Sequence, residues 1–359
     1  MSTQAPLQVT GSSLLRYHIV CSILSKKPVD LVLTNACLQD FEVNFLKFIE
    51  RLTAGSHMRL SVDRSTLHFT PGFVLGGVFS HEVPTSRCVT YLVDAAILLL
   101  PFAKHPSVIT LTGATQGELD ASVDTVRSVS VRWLQIFGVA ASLRVVRRGA
   151  APTGNGCIIL TVENVRRLRS VTVEDRGAIK RVRGVAFASN CSGDLVQRAA
   201  STCKGELLNF LPDVYIVSDI GAGGHSVGSG YGLLLIAETI TGKCVVSQET
   251  TGGLREPPED VGVRCAKLFL DQVALGGCVD AHHQPLVLLL LGLSPDEAST
   301  IRFGPLTDVA VSMLVLIEQY FGVSCAIKAD SSACIPQIQP PLLVSCIGSN
   351  AINVSKKGG

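Results

Sequence analysis

Hydrophobic and polar positions along the chain follow a fixed order of helices and strands. In the first stretch, apolar residues at helical spacing alternate with short β-branched runs. The second helix is the clearest, because five apolar side chains fall on one of its faces. The pattern predicts helices over 13–24 and 39–52, and strands over 29–33, 58–62 and 67–70.

The same order of helix, strand, helix, strand and strand occurs twice more. Such repetition predicts one domain built of similar units, each a sheet with two helices on one face. The second copy has predicted helices over 87–99 and 120–136 and strands over 108–112, 142–146 and 157–162. The third has helices over 284–293 and 308–321 and strands over 300–303, 323–328 and 342–347.

Residues 185–276 break this order and predict an inserted domain. Their pattern predicts strands over 185–188, 214–218, 233–239 and 243–248, and helices over 193–208 and 258–275. The predicted fold class is therefore α/β (α+β). A large domain of three units, each with two helices on a four-stranded sheet, takes residues 1–184 and 277–359. The smaller inserted α/β domain takes residues 185–276.

Composition indicates a globular protein that is neither strongly basic nor membrane-spanning, but it does not indicate a function. The chain has 359 residues, 47% of them hydrophobic, and a formal net charge of +2, so it can bury a large core and is not basic overall. Its longest apolar runs fall short of the roughly 20 residues of a membrane helix, and its start lacks the features of a signal peptide. We expect no membrane partner.

The 12 cysteines are scattered, and no two have the C-x-x-C spacing of zinc sites. We expect reduced and mostly buried thiols, no metal site and no cofactor. Reduced thiols suit the cytoplasm or the nucleus.

The strongest local charge lies between residues 144 and 183. One guanidinium group can donate two parallel hydrogen bonds to the oxygens of a phosphate. This cluster therefore predicts contact with phosphate or an RNA backbone. The alternative is a solvated face of edge strands. The cluster contains Arg144, Arg147, Arg148, Arg166, Arg167, Arg169, Arg176, Lys180, Arg181 and Arg183.

Other polar clusters give weaker signals. The glycine-rich stretch 221–232 has no Walker-type lysine and precedes a strand, so it predicts a connection between strands. His282 and His283 stand at a predicted helix start without a third metal ligand nearby. Asp120 or Ser122 is expected to cap a helix. The sequence alone does not assemble a Ser/His/Asp or Cys/His site, and no catalytic residue is predicted.

Matching stretches over nearly the whole length resemble the RNA 3′-terminal phosphate cyclase family, and within it the cyclase-like branch of ribosome-assembly proteins. Their number, order and spacing carry the resemblance. They include LLRYHIVCSILSKKPV (14–29), FTPGFVLGG (69–77), TLTGATQGELDASVDTVR (110–127), NFLPDVYIVSD (209–219), GSGYGLLLIAETITG (228–242), the stretch 257–293 and FGPLTD (303–308). The family's fold implies a three-unit domain with an inserted domain.

The resemblance implies that cyclase chemistry is lost. Cyclases of this family adenylylate a histidine that follows a glycine-proline turn, and alignment on GPLT places that position at Val309. Valine has no lone pair with which to attack a phosphate. The glycine-rich start of the cyclases is replaced by TGSSLLR (10–16), and the basic loop of the cyclase-like branch is replaced by LTNACLQDF (33–41).

The function implied is a non-catalytic nucleolar factor for small-subunit ribosome assembly. Its expected partners are a large assembly GTPase, a small nucleolar ribonucleoprotein and pre-rRNA. Lys180, Arg181 and Arg183 are the predicted phosphate contacts, with Arg87 and Arg16 as weaker candidates from the matched part of the chain. The alternatives are a pre-rRNA endonuclease, a residual RNA 3′-phosphate cyclase, and a protein-binding module that never contacts RNA.

Overall fold

The first unit is a four-stranded sheet with two helices. The computed structural model describes residues 5–11, 14–33, 37–151, 153–221, 228–253, 255–330 and 340–356. The strand order is β1-β2-β5-β4, with β1 parallel to β2, and β3 pairs separately with β6. The elements are β1 (Leu7–Thr10), α1 (Leu15–Ser25), β2 (Val29–Val32), α2 (Asp40–Leu52), β3 (Thr53–Ala54), β4 (His57–Leu60), β5 (Thr66–Thr70) and β6 (Phe73–Val74).

The second unit repeats this arrangement. Its sheet has the order β7-β8-β10-β9, again with one parallel pair, β7 and β8, at an edge. The elements are β7 (Gly76–Glu82), α3 (Thr90–Leu99), β8 (His105–Gly113), α4 (Val123–Thr125), a π-helical turn (Val126–Ser130), α5 (Val131–Ile136), β9 (Ala141–Arg147) and β10 (Gly156–Val162).

The third unit begins with one short strand and then accommodates the insertion. The inserted sheet has the order β13-β12-β14-β15, and two helices pack on it. The elements from this strand onward are β11 (Thr172–Val173), β12 (Ile179–Ser189), α6 (Gly193–Leu208), β13 (Val214–Gly221), β14 (Gly230–Thr239), β15 (Val245–Gly252) and α7 (Pro258–Ala274).

The remainder of the third unit follows the insertion. Strand β11 pairs in parallel with β16, which completes a sheet of order β11-β16-β18-β17. The elements are α8 (Gln284–Leu293), β16 (Ala298–Phe303), α9 (Asp308–Phe321), β17 (Cys325–Ala329) and β18 (Leu342–Ile347).

The predicted α/β fold with three similar four-stranded sheets is confirmed. The hydrophobic pattern nevertheless missed the first strand of every unit, which pairs in parallel at the sheet edge. Strands β1 and β11 are only four and two residues long, and β7 contains two glycines and several polar residues. Each unit therefore runs strand, helix, strand, helix, strand, strand.

The predicted boundary between residues 184 and 185 falls inside a strand. Strand β12 begins at Ile179 and pairs with both β13 and β14 along its length, so a cut at 184/185 would divide one strand between two domains. The hydrophobic pattern did not predict the start of this strand, because Lys180, Arg181 and Arg183 are polar. The division of the chain into two domains stays a prediction.

Helix α8 is buried along its whole length and forms the centre of the third unit. All ten of its residues are buried, and it packs against α3 and α9. Helix α9 is amphipathic, begins at the Thr307 cap and ends at Gly322, whose left-handed conformation favours glycine. The eleven described cysteines are free thiols, mostly buried, although Cys37 is exposed.

A buried ion-pair network joins the second unit to the inserted sheet. Arg148 follows β9 and donates to both carboxylate oxygens of Asp124, at 2.6 and 3.0 Å, and to Asp219 of β13 at 2.6 Å. The Arg148 and Asp124 side chains are 3% and 0% exposed. Arg127 also contacts Asp124, at 2.7 Å. The hydrogen bond from Arg148 holds the pKa of Asp219 below its usual value.

A histidine ties the first helix to the last. His18 of α1 is buried, and its Nδ1 lies 3.2 Å from the Tyr320 hydroxyl on α9. Burial lowers the pKa of His18 to about 4. The folded protein therefore holds this imidazole neutral near pH 7.

Replacing Arg148 with alanine is expected to destabilise the fold strongly. The substitution leaves the buried Asp124 with Arg127 as its remaining cation, and removal of one partner from a buried pair costs about 3–5 kcal/mol. Arg144→Ala, at an exposed position of β9, is the matched control and should cost less than about 0.5 kcal/mol. Urea unfolding measures both. Equal losses for the two variants would contradict a structural role for the network.

His18 is expected to make stability depend on pH. Its folded pKa of about 4 lies below the unfolded value of 6.5, so its contribution is present above pH 6.5 and is lost as pH falls towards 4. Between pH 7.5 and 5 the wild type should lose about 2 kcal/mol through this residue. Urea unfolding at both pH values should show a smaller loss for His18→Gln and an unchanged loss for the exposed control His57→Gln. Equal pH dependence in all three proteins would refute this assignment.

Candidate functional site

A cleft of about 470 Å³ opens where the starts of α1, α8 and α9 meet the second half of α3. Helices α1 and α9 are in contact, as are α8 and α9, and α3 packs against both α1 and α8. The cleft walls combine apolar and ionisable side chains. They are formed by Leu14, Arg16, Tyr17, Asp94, Ile97, Leu98, Ser130, Ala281, His282, His283, Pro285, Leu286, Thr307 and Val309.

Val309 lies in the cleft wall, in the first turn of α9, and its side chain is 42% exposed. The turn before it is held by one amide. Gln284 Nε2 donates to the Pro305 carbonyl at 2.9 Å, and its Oε1 accepts from Thr307 N–H at 2.9 Å. The position implied for the nucleophile is therefore well fixed and borders the cleft, but it carries an inert side chain.

Arg16 brings a fixed positive charge to the same cleft. Its Nη1 donates to the Tyr91 carbonyl at 3.0 Å and lies 3.2 Å from Asp94 Oδ2. Burial alone would lower the pKa of Arg16, but Asp94, Tyr17 and Tyr91 together outweigh burial and raise this pKa. The guanidinium also lies 4.7 Å from the centre of the Tyr91 ring. Arg16 is thus held in place by neighbours and is charged at any relevant pH.

Arg87 shares the Tyr91 ring with Arg16. Its guanidinium lies 4.3 Å from the ring centre and forms a two-pronged pair with Asp120, whose Nε–Oδ2 distance is 2.8 Å. The hydrogen bonds that Arg87 donates to Asp120 raise the pKa of Arg87. Arg87 lines a neighbouring cleft of about 350 Å³ together with Gln116 and Tyr231. The structure therefore brings these two predicted arginines together around one aromatic ring.

Lys180, Arg181 and Arg183 lie elsewhere, on strand β12, and none of them lines the cleft that contains Val309. Arg181 Nε donates to Glu238 at 2.5 Å, and Arg183 donates to both oxygens of Asp213 at 2.8 and 3.0 Å. The bond from Arg183 lowers the pKa of Asp213. Lys180 is exposed. The predicted contacts thus form two separate groups.

The arginine-rich stretch does not form one continuous patch. Arg148 is structural, and Arg176 donates to the backbone carbonyl of Val273. Alternation along strands and the turns between them send the remaining cations in different directions, which a count along the sequence cannot show. The exposed members are Arg144, Arg147, Arg166, Arg167, Arg169 and Lys180.

Capping of the helix near residue 120 is confirmed for Ser122, which accepts from Thr125 N–H at 3.4 Å. Asp120 instead binds Arg87. Sequence reasoning missed Glu249 of β15, which accepts from the N–H and hydroxyl of Ser122 at 3.0 and 2.8 Å and from the Thr125 hydroxyl. Burial raises the pKa of Glu249, although the hydrogen bonds from Thr125 and Ser122 act in the opposite direction. No local spacing links residues 122 and 249.

A hydrogen-bonded row of three side chains was also missed. His283 Nδ1 lies 2.7 Å from Asp280 Oδ1, and its Nε2 lies 3.0 Å from Ser130 Oγ. Asp280 also accepts from Ser247 N–H and Oγ, at 3.1 and 2.7 Å. Asp280 and His283 are three residues apart at a helix start, and this spacing could have predicted their contact from the sequence. Ser130 is 153 residues from His283 in the chain, so no sequence pattern could have predicted its contact with His283.

Two predicted segments are only partly described. The glycine-rich stretch does connect two strands, β13 and β14, while its residues 222–227 lie outside the described residues. The short segment 33–41 likewise contains residues 34–36, which lie outside them. Within the described ranges, no group of three or more ionisable side chains has the arrangement of a metal site, and no helix is long and apolar enough to cross a membrane.

Comparison with known proteins covers almost the whole chain. The family model for RNA 3′-terminal phosphate cyclase matches residues 7–327. A Dictyostelium discoideum "Probable RNA 3′-terminal phosphate cyclase-like protein" is 34% identical, with 98% of this chain and 99% of the relative covered. The human "RNA 3′-terminal phosphate cyclase-like protein" is 32% identical over 99% of each chain. A Schizosaccharomyces pombe relative named as an rRNA processing protein is 31% identical over 99% of each. Two of these three relatives are named cyclase-like and one is named for rRNA processing. The chain therefore belongs to the RNA 3′-terminal phosphate cyclase family.

Proposed function

We propose that this protein is a factor for pre-rRNA processing that binds RNA and does not carry out the cyclase reaction. Its site of action would be the nucleus, in the nucleolus, during assembly of the small ribosomal subunit. Full-length similarity to cyclase-like relatives, one of which is named as an rRNA processing protein, supports this role.

The observation that carries the proposal is Val309 at the cleft wall. The turn that presents this position is intact, and Gln284 holds it on both sides. The side chain there has no lone pair, so a covalent intermediate at this atom is impossible. A cleft that keeps its shape and its fixed arginine while lacking this nucleophile suits binding better than adenylyl transfer.

The proposed partners are a large ribosome-assembly GTPase, a small nucleolar ribonucleoprotein and pre-rRNA. The family resemblance supports them. The open surface available to RNA includes β12, where the Arg181 and Arg183 side chains are 40% and 30% exposed. Their carboxylate partners, Glu238 and Asp213, are also solvent-accessible, so a phosphate can replace a carboxylate at modest cost.

Arg16 and Arg87 are weaker candidates for RNA contact on structural grounds. Both guanidinium groups are held by a carboxylate and by the Tyr91 ring. A phosphate that displaces Asp94 or Asp120 would leave that carboxylate half-buried without its cation, which costs more than the same exchange at an exposed pair. Lys180, Arg181 and Arg183 therefore remain our first choice.

Replacing Lys180, Arg181 and Arg183 with alanine should weaken binding to single-stranded pre-rRNA segments. Each lost phosphate contact reduces the slope of log K against log salt by about 0.7, so three contacts give a change of about 2. Fluorescence anisotropy over a range of salt concentrations measures the affinity and the slope together.

The matched control removes the same charge from the helical side of the inserted sheet, by Arg198→Ala, Lys204→Ala and Lys267→Ala, all at exposed positions. This variant should lose less affinity and keep more of the salt slope. If the two triple variants are equally impaired, general charge explains the binding and β12 is not its site.

Affinity purification of the tagged protein from its own cells should recover a large GTPase, small nucleolar RNA and small-subunit pre-rRNA together. We expect joint recovery because all three partners would be assembled on one particle. Nuclease treatment should then release the components that are held through RNA, while a protein that binds the tagged chain directly should stay bound. Recovery of none of the three, with the protein located outside the nucleolus, would contradict the proposed function.

A further inference from the structure

We infer that Ser130 is an activated serine nucleophile in the wall of the main cleft, with His283 as its proton acceptor, Asp280 as the residue that positions His283, and a phosphate ester as its class of substrate. This inference goes beyond the rRNA-processing role and does not rest on it. It is distinct from the cyclase nucleophile position, because Ser130 comes from the second unit and Val309 from the third.

The three side chains have the mutual geometry that nucleophile activation requires. The Ser130 Oγ to His283 Nε2 distance is 3.0 Å and the His283 Nδ1 to Asp280 Oδ1 distance is 2.7 Å, both within the range for a working nucleophile, base and orienting group. Because an ionised carboxylate only accepts, Nδ1 carries the proton. The Nε2 lone pair is then directed at the Ser130 hydroxyl.

Asp280 is fixed from several sides, which keeps it ionised. Burial alone would raise the pKa of Asp280, but its interactions with His283 and its hydrogen bond from Ser247 together outweigh burial and lower this pKa. It also accepts from the His283 N–H at 3.0 Å. The imidazole consequently has one orientation, and a proton taken from Ser130 would be stabilised by a carboxylate on the far side of the ring.

Ser130 is the last residue of the π-helical turn that interrupts the helical run from α4 to α5. Such single turns are rare and frequently mark functional sites, because they shift a side chain out of the regular helical register. Ser130 and His283 belong to the inner wall of the cleft, where they are only 2% and 1% exposed, and Arg16 lines the same cleft. These observations place the nucleophile, the base and a permanent positive charge in one cavity.

Arg16 favours a phosphorus electrophile over an uncharged ester. Its guanidinium is charged, and the Tyr91 carbonyl and Asp94 both contact the same nitrogen, Nη1, so a phosphoryl oxygen can bind another N–H of the five-donor fork without displacing Asp94. A positive charge in a cleft stabilises the negative charge that builds up on phosphoryl oxygens during displacement. The cleft of about 470 Å³ is large enough for a small organic phosphate.

The reaction balances without a cofactor. Ser130 Oγ bonds to phosphorus, the ester P–O bond breaks, and the Ser130 proton passes through His283 Nε2 to the departing alkoxide, which leaves as an alcohol. Water then gives a proton to His283 and its oxygen to phosphorus. The Ser130 O–P bond breaks, and Ser130 Oγ regains the proton.

The test uses the full chain and a small ethyl fluorophosphonate, which transfers its phosphonyl group to activated serines with loss of fluoride. Mass spectrometry should find one adduct per folded wild-type molecule, on the peptide that contains Ser130. Ser130→Ala should remove it. Ser22→Ala, a buried helical serine whose hydroxyl donates to the Lys27 carbonyl, is the matched control and should label like the wild type.

Two further variants separate catalysis from packing. His283→Ala should slow labelling by about 100-fold, since proton transfer contributes about 10²–10⁴, and added imidazole should restore part of the rate. A packing role predicts no rescue. Asp280→Asn should slow labelling and retain the adduct at Ser130. Thermal unfolding confirms that each variant is folded.

The inference is overturned if folded wild-type protein forms no adduct at Ser130 under conditions that label a known serine hydrolase. It is also overturned if Ser130→Ala labels as fast as the wild type. Labelling of His283→Ala at the wild-type rate would equally reject His283 as the proton acceptor.

Discussion

The complete burial of helix α8 is the constraint on which the arrangement around the cleft depends. Ten consecutive residues are enclosed between α3 and α9 and the third sheet, and each fully buried Leu contributes about 1.5–3 kcal/mol. Such a helix cannot rotate without exposing apolar surface. Its first residue, Gln284, therefore has a fixed position, from which both ends of its amide hold the turn before α9. The preceding residue, His283, is fixed in the same way.

This constraint explains how the position that the family resemblance assigns to a nucleophile is held in place although it carries a valine. Val309 is presented by a turn whose hydrogen bonds come from Gln284 and from the Thr307 cap, and none of them involves the side chain at 309. A valine at this position therefore leaves these hydrogen bonds intact. The proposed absence of cyclase activity is compatible with the family's architecture, because different residues determine the two.

Much of the fold follows from the sequence, because strong periodic patterns produce long elements. Helices α8 and α9 lie at the bounds that their hydrophobic spacing predicts. The parallel edge strands β1 and β11 do not, because strands of four and two residues carry too little pattern to distinguish them from loops. Membership of the RNA 3′-terminal phosphate cyclase family could be predicted from many matched stretches, including the GPLT turn before Val309.

The candidate sites were less accessible to sequence reasoning, since they depend on contacts between distant segments. Charge density along residues 144–183 suggested one basic surface, yet Arg148 is a buried structural cation and Arg181 has a carboxylate partner 57 residues away. Arg16 of α1 and Arg87, which precedes α3, meet because both guanidinium groups lie over the ring of Tyr91. One-dimensional charge counts cannot separate a cation that stabilises the fold from one that is open to a ligand.

The energetics of the row formed by Ser130, His283 and Asp280 favour a role beyond packing. A buried carboxylate costs several kcal/mol to desolvate, and a well-packed apolar replacement is often as stable. Here that cost is met by four hydrogen bonds to Asp280, from Ser247 and His283. All three residues are at most 2% exposed, so the network is almost closed to solvent. Its last member, Ser130, nevertheless forms part of the inner wall of the cleft, where its hydroxyl, bonded to an oriented imidazole, lies next to the space that a ligand would occupy.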